Sequence, residues 1–324
     1  MAPSLLMTDP CGLIGRLVLR ELTIRGVPIR VLARSPVDKH ETDAVLPQGV
    51  DGDPFHPDTL DASLDGVERV LLVSPPSPDQ VLLQGSLIEA IERTGRPIHL
   101  ITVSVLGVVP PDALLRLARW QTVTEAQIES SGLPTTIVRP QLLMQSLLRT
   151  ASSIRSDDML CGSFNGARLP LVDGRDVARV TATLLTTEGH NGRRYDLTGP
   201  QLVSFFDVAE VFSSVLGRPI RYVDMPSQTY HEYLVGSGLP NWIADDLTLL
   251  ARSFRSDYRW SVTSDVSRIT GQPAQTLAGF IRDHLDVFQP GGSDAPDATT
   301  DTDFWCATTV PPTGPRAGRP QRPA

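Results

Sequence analysis

The stretch Ser4-Leu5-Leu6-Met7-Thr8-Asp9-Pro10-Cys11-Gly12-Leu13-Ile14-Gly15-Arg16 decides the fold. Ser4 to Met7 reads as a short strand, and Ile14, Leu17, Val18 and Leu22 fall on one side of the helix that follows. Gly12 and Gly15, three apart at the opening of that helix, are the residue types that let an anion approach backbone amides at a helix N-terminus. Working outward, Ile29 to Ala33, Val67 to Val73, Ile98 to Val103 and Thr136-Ile137-Val138 read as further strands. Helices with Val81, Leu82, Leu87, Ile88 and Ile91, and then from about Leu114 to Ser131, separate them. Strands alternating with helices of this length predict an α/β fold, a doubly wound parallel sheet of Rossmann type. Its ligand belongs at the carboxyl ends of the strands, near Thr8, Arg34, Ser74 and Ser104.

Residues 1–150 therefore read as a dinucleotide-binding core. Residues 151–288 are expected to supply the remaining sheet edge and a smaller mixed α/β substrate cap, interleaved with the core. Short strands are expected at Leu169 to Val172, Tyr195 to Thr198 and Ile220 to Val223, and helices at Arg175 to Thr187 and Phe205 to Leu216. The remaining residues, 289–324, hold seven prolines and cannot bury enough apolar surface to offset ordering entropy, so a flexible tail is expected.

Composition excludes several classes. With 40% hydrophobic and 20% charged residues over 324 positions, the chain can bury a core and is not globally disordered. No apolar run approaches the roughly 18 residues a membrane helix needs, and no basic segment precedes the first apolar stretch, so a cytoplasmic protein without membrane association is expected. Cys11, Cys161 and Cys306 are too scattered for a disulfide framework, and no His/Cys/Asp cluster has metal-ligand spacing. A net charge of −8 without a basic block argues against nucleic acid as partner. Lys39 is the only lysine, so chemistry that needs a lysine has one residue to draw on. A monomer or homodimer acting on a small molecule is the expectation.

Past the loop, Val31-Leu32-Ala33-Arg34-Ser35-Pro36, Gly52-Asp53, Ser131 to Pro140, Val172-Asp173-Gly174-Arg175-Asp176 and Tyr195 to Pro200 follow in order. In these motifs the chain resembles the NmrA-like branch of the atypical short-chain dehydrogenase/reductases, whose loop reads T-G-A-T-G-x-x-G. The resemblance implies an NADP(H) site in which Thr8, Gly12, Leu13, Ile14 and Gly15 cradle the diphosphate. It also implies that Arg34 meets the 2′-phosphate, Asp53 lies on the adenine side, and Ser74 completes the site.

Two departures bear on function. Asp9 and Pro10 replace the second and third loop residues. Two unit charges ~5 Å apart at an effective dielectric of ~20 repel by roughly 3 kcal/mol, about a hundredfold in affinity, so a carboxylate at Asp9 is expected to weaken NADP(H) binding. Against that, Asp9 turned to solvent or capping the helix would leave binding intact. Pro10 removes an amide donor and disfavours positive φ at Asp9. The second departure is in the helix after the fourth strand. Counting back from Glu125 puts Leu117 at the place of the family's catalytic tyrosine and Gln121 at that of its lysine. Carbonyl reduction by a Tyr/Lys pair is thereby excluded.

Ser104, Gln121 and His231 remain as catalytic candidates, against readings as a strand-end serine, a packing amide and a surface histidine. Trp120, Met144, Gln145 and Tyr230 are expected to line a mostly apolar pocket, with core packing as the alternative. The leading expectation is an enzyme on an aromatic or quinone-like metabolite in bacterial natural-product biosynthesis, using cofactor-independent elimination, deacylation or coupling. The alternatives are an NADPH-dependent quinone or enone oxidoreductase and an NADP-sensing regulator.

Overall fold

The structure is a computed structural model that describes residues 4–33, 49–53, 56–74, 77–104, 115–255 and 260–292. Arg34, Lys39, Cys306 and the segment from 293 onward, with most of the expected tail, lie outside the described residues.

Seven parallel strands form one sheet in the order β3-β2-β1-β4-β5-β6-β8. They are β1 (Leu5–Met7), β2 (Ile29–Ala33), β3 (Gly49–Asp51), β4 (Arg69–Leu72), β5 (His99–Val103), β6 (Thr135–Pro140) and β8 (Arg193–Leu197). The chain winds outward from β1 in one direction through β2 and β3, and in the other from β4 onward. That reversal opens a crevice between the carboxyl ends of β1 and β4.

Both faces of β1 are buried, which is why its residues are uniformly apolar. Leu5 and Met7 pack with Val18 and Leu22 of α1 (Leu13–Ile24) and with Val177 and Val180 farther along the chain. Leu6 faces the other layer, among Val70, Leu72, Leu87, Ile91 and Ile128. The helices after α1 are α2 (Leu60–Ser63), α3 (Gln80–Arg93), α4 (Arg116–Ser130), α5 (Ala151–Asp157) and α6 (Gly174–Thr186). α1 and α6 cover one face of the sheet, and α3 and α4 the other.

A third apolar core belongs to the cap region and gathers Leu160, Phe164, Phe205, Phe212, Ile243, Phe254 and Phe280. Its helices are α7 (Phe205–Leu216), α8 (Ser227–Gly236), α9 (Asn241–Phe254), α10 (Asp265–Thr270), α11 (Leu277–Asp283) and α12 (Leu285–Phe288). β7 (Met159–Gly162) and β9 (Arg221–Asp224) pair in parallel as a separate two-stranded sheet. The strand expected at Leu169 to Val172 is reduced to two isolated bridges, Leu169 with Val203 and Leu143 with Val172. β3 and β7 were not expected from the sequence, because neither carries a period-two pattern long enough to stand out.

Candidate functional site

The crevice begins at Thr8, the first residue after β1. Its backbone N–H donates to Leu71 O at 3.2 Å, its hydroxyl accepts from Val73 N–H at 3.0 Å, and the same hydroxyl donates to Val73 O. One side chain thus stitches β1 to β4 where the two halves of the sheet part. Gly12 and Gly15 then shape the turn. A Cβ on Gly15 would stand 1.7 Å from the Asp9 carbonyl oxygen, so the loop runs against α1 at a distance only glycine permits. The amides of Leu13 and Ile14, in the first turn, have no intrahelical acceptor and open toward the crevice end of the sheet.

Asp9 departs from the expectation of a carboxylate displayed to an incoming diphosphate. The residue is only 8% exposed, and Oδ1 accepts from the Gly12 N–H at 3.1 Å. A Cβ on Gly12 would lie 2.3 Å from Asp9 Oδ2. The carboxylate therefore caps the opening of α1 from within the turn, the alternative weighed above. The glycine turn and first-turn amides fit a dinucleotide diphosphate, apart from the Gly12 donor that Asp9 uses.

Asp53, expected on the adenine side, is paired with His56 through Nδ1 at 2.8 Å, and its N–H donates to Thr59 Oγ1 at 2.8 Å. Ser74 accepts from Gln84 Nε2 at 2.7 Å. Ser104, buried at the end of β5, donates its N–H to Val138 O at 2.9 Å.

On α4, Leu117 and Gln121 are both buried on one face, a turn apart. Gln121 Oε1 has no hydrogen-bond partner among the described residues. Trp120, half-buried, meets Trp242 of α9 with ring centroids 5.9 Å apart and planes tilted by 60°. A carboxylate not anticipated from the sequence joins the two helices. Asp246, 3% exposed, accepts from Leu117 N–H at 3.3 Å, and Arg116 Nη1 lies 3.6 Å away. Burial pushes the Asp246 carboxyl up, while the Leu117 N–H and Arg116 pull it back. Leu115, Leu117, Trp242, Ile243, Asp246, Leu247 and Leu250 line a small cavity beside it. No local pattern announces Asp246, since its partners are about 129 residues away in the chain.

Four expected pocket or catalytic residues are placed elsewhere. Met144 is buried in the cap core and Gln145 is engaged at both ends of its amide, donating from Nε2 to Asp173 Oδ1 at 2.8 Å and accepting from Gly174 N–H at 2.8 Å. Together with Asp173, Gln145 caps α6, so its amide is held in place by that helix. Tyr230 packs edge-on to Phe164, at 6.3 Å, in the cap core, and burial pushes its phenol above the usual range. His231 pairs through Nε2 with Asp245 at 3.0 Å, and Asp245 also lies 3.3 Å from Arg116. That links His231 to the α4–α9 junction as an anchoring group. Among the described residues no His/Cys/Asp/Glu group could hold a metal, and no helix is long and apolar enough to cross a membrane.

Comparison with known proteins agrees with this architecture. The chain is 34% identical over 284 residues to an NAD(P)H azoreductase of Xenophilus azovorans, covering 88% of this chain and 99% of that one. It is 32% identical over 290 residues to a (4-alkanoyl-5-oxo-2,5-dihydrofuran-3-yl)methyl phosphate reductase of Streptomyces griseus, covering 88% and 99%. The NADPH complex of an Escherichia coli quinone oxidoreductase superposes with a TM-score of 0.78 at 22% identity, over 87% of this chain and 99% of that one, a likeness of fold. Both sequence relatives are reductases by name, which removes support from the expected cofactor-independent chemistry. The NmrA-like family model matches residues 2–278, and the chain belongs to the NmrA-like family.

Proposed function

We propose that this protein is an NAD(P)H-dependent reductase of small, conjugated, electron-poor acceptors such as quinones, azo compounds or enones. The observation that carries the reading is the close Gly12–Gly15 turn at the switch point, together with Leu117 and Gln121 buried on α4, where the resemblance expects the tyrosine and lysine. The bound dinucleotide would supply the hydride. The Gly12–Gly15 turn and the amides of Leu13 and Ile14 would hold its diphosphate, with Thr8 fixing the crevice. Arg34 and Asp53 would serve its adenosine end.

The missing dyad narrows the acceptor. Reducing an isolated ketone leaves an alkoxide that needs a strong, positioned proton donor at once. A quinone, an azo bond or an enone instead spreads the arriving electron pair over electronegative atoms, so its reduced form can take a proton from water later. Gln121 Oε1, a buried acceptor without a partner, would receive the O–H or N–H that forms on the reduced product. Trp120 and Trp242, which meet where α4 packs on α9, offer aromatic surface for a planar ring. The two relatives point the same way: one is named for azo compounds, and the other for a ring whose double bond is conjugated with two carbonyls.

The test is NADPH and NADH oxidation by the purified protein in the presence of a quinone, an azo dye, an enone and an unconjugated ketone. Turnover with at least one of the first three and none with the ketone is expected. Turnover with the ketone alone would overturn the reading.

A further inference from the structure

We propose that the Asp9 carboxylate is an internal competitor for the cofactor diphosphate, holding the Gly12 N–H until the dinucleotide displaces it. This rests on the dinucleotide reading of the same turn. Three features carry it. Asp9 Oδ1 accepts from Gly12 N–H at 3.1 Å, so a donor at the opening of α1 is already satisfied from inside the chain. Asp9 Oδ2 lies 2.3 Å from the position a Gly12 Cβ would take, so Asp9's own side chain fills the space that glycine leaves open at this turn. Pro10 carries no N–H, so the loop has fewer donors to offer and the one held by Asp9 counts for more.

The physics sets two effects in opposition. The partial positive charge at the N-terminus of α1 favours any anion placed there, and the carboxylate and the diphosphate call on the same end of the helix. With Asp9 in place the helix is capped and the fold gains; the diphosphate then has to displace a charge-assisted hydrogen bond and approach a like charge. A residue that merely supported the loop would, when removed, weaken stability and cofactor binding together. An internal competitor weakens the first and strengthens the second.

Two variants separate these cases. Asp9→Ala removes the carboxylate without adding backbone freedom, and Asp9→Asn keeps an acceptor for Gly12 N–H while removing the charge. Calorimetric titration with NADPH and thermal melting of the free protein are the readouts. Asp9→Ala is expected to bind NADPH about tenfold more tightly than the wild type while melting at a lower temperature, with Asp9→Asn between the two on both scales. Equal or weaker NADPH binding by Asp9→Ala, or an unchanged melting temperature, would overturn the inference and leave the reductase reading standing. Absence of NADPH and NADH binding in the wild type and both variants would overturn the reductase reading as well.

Discussion

The two ends of the sheet are built on different terms. At the amino end, polar groups close on one another. Arg69 donates to Leu184 O at 3.0 Å, to Thr187 O and to Glu188. Thr136 donates its hydroxyl to His190 O at 2.7 Å, so the His99 ring, 2.8 Å away at Nε2, must be the donor to Thr136 Oγ1. His190 in turn meets the Tyr195 hydroxyl at 2.8 Å and Thr187 Oγ1 at 2.9 Å. At the carboxyl end the chain instead runs through a glycine turn, leaves the amides of Leu13 and Ile14 without intrahelical acceptors, and buries an amide oxygen of Gln121 without a partner. The amino end uses its polar groups for stability; the carboxyl end keeps some unspent for a ligand. The same sheet serves both, because parallel strands put every strand start on one edge and every strand end on the other.

The contrast can be broken by substitutions that should affect one end and spare the other. The largest effect is expected from Arg69→Ala. It removes the donor from the buried Leu184 carbonyl and the part-buried Thr187 carbonyl and should cost about 3 kcal/mol by urea denaturation, with NADPH affinity in the folded protein unchanged. A parallel loss of NADPH affinity would mean that the two ends are not separable.

Gly12→Ala should act in the opposite sense. The new Cβ would push the Asp9 carboxylate off its site, a flexible group that can move, so stability should fall by only about 1 kcal/mol. NADPH binding, measured by calorimetry, should weaken about tenfold, because the new methyl group occupies the space through which the diphosphate has to approach the opening of α1.

Gln121→Leu removes a buried, unpaired oxygen, so stability should stay within about 1 kcal/mol of the wild type or rise. The kcat/KM for a conjugated acceptor should fall about tenfold, with NADPH affinity unchanged. Retained kcat/KM would remove Gln121 from the substrate site.

The smallest effect concerns pH. Burial, then Arg69, lower the His99 pKa from 6.5 to about 4. Between those values the unfolded chain holds the proton and the folded chain does not, so stability declines as pH falls through that window. His99 is only partly buried, so the loss should be about 1 kcal/mol after solvent screening, and His99→Gln should flatten that part of the stability–pH curve.

Much of the fold was legible in the sequence because each strand of the core carries its own apolar run. Ile29 to Ala33 and Phe205 to Leu216 appear at the expected bounds. β3 and β7 were not, since three- and four-residue strands owe their existence to a neighbour rather than to a pattern. The site was legible in part. Gly12, Gly15, Leu117 and Gln121 stand out locally, by spacing or by position in a helix. Asp246 and Trp242 do not, because contacts across more than a hundred residues bring them to α4. Met144, Gln145 and Tyr230 show the converse: their position after β6 or in the cap suggested a pocket, whereas the cap core and the α6 cap consume them.

The most direct test of the account follows the hydride itself. Deuterium placed at the transferable position of NADPH should appear on carbon in a reduced enone, and should give a primary isotope effect on a single turnover with a quinone or azo acceptor, whose product O–H or N–H exchanges the label with water. An enone reduced without the label on carbon, turnover without a primary isotope effect, or a folded protein that oxidises neither NADPH nor NADH with any conjugated acceptor, would contradict it.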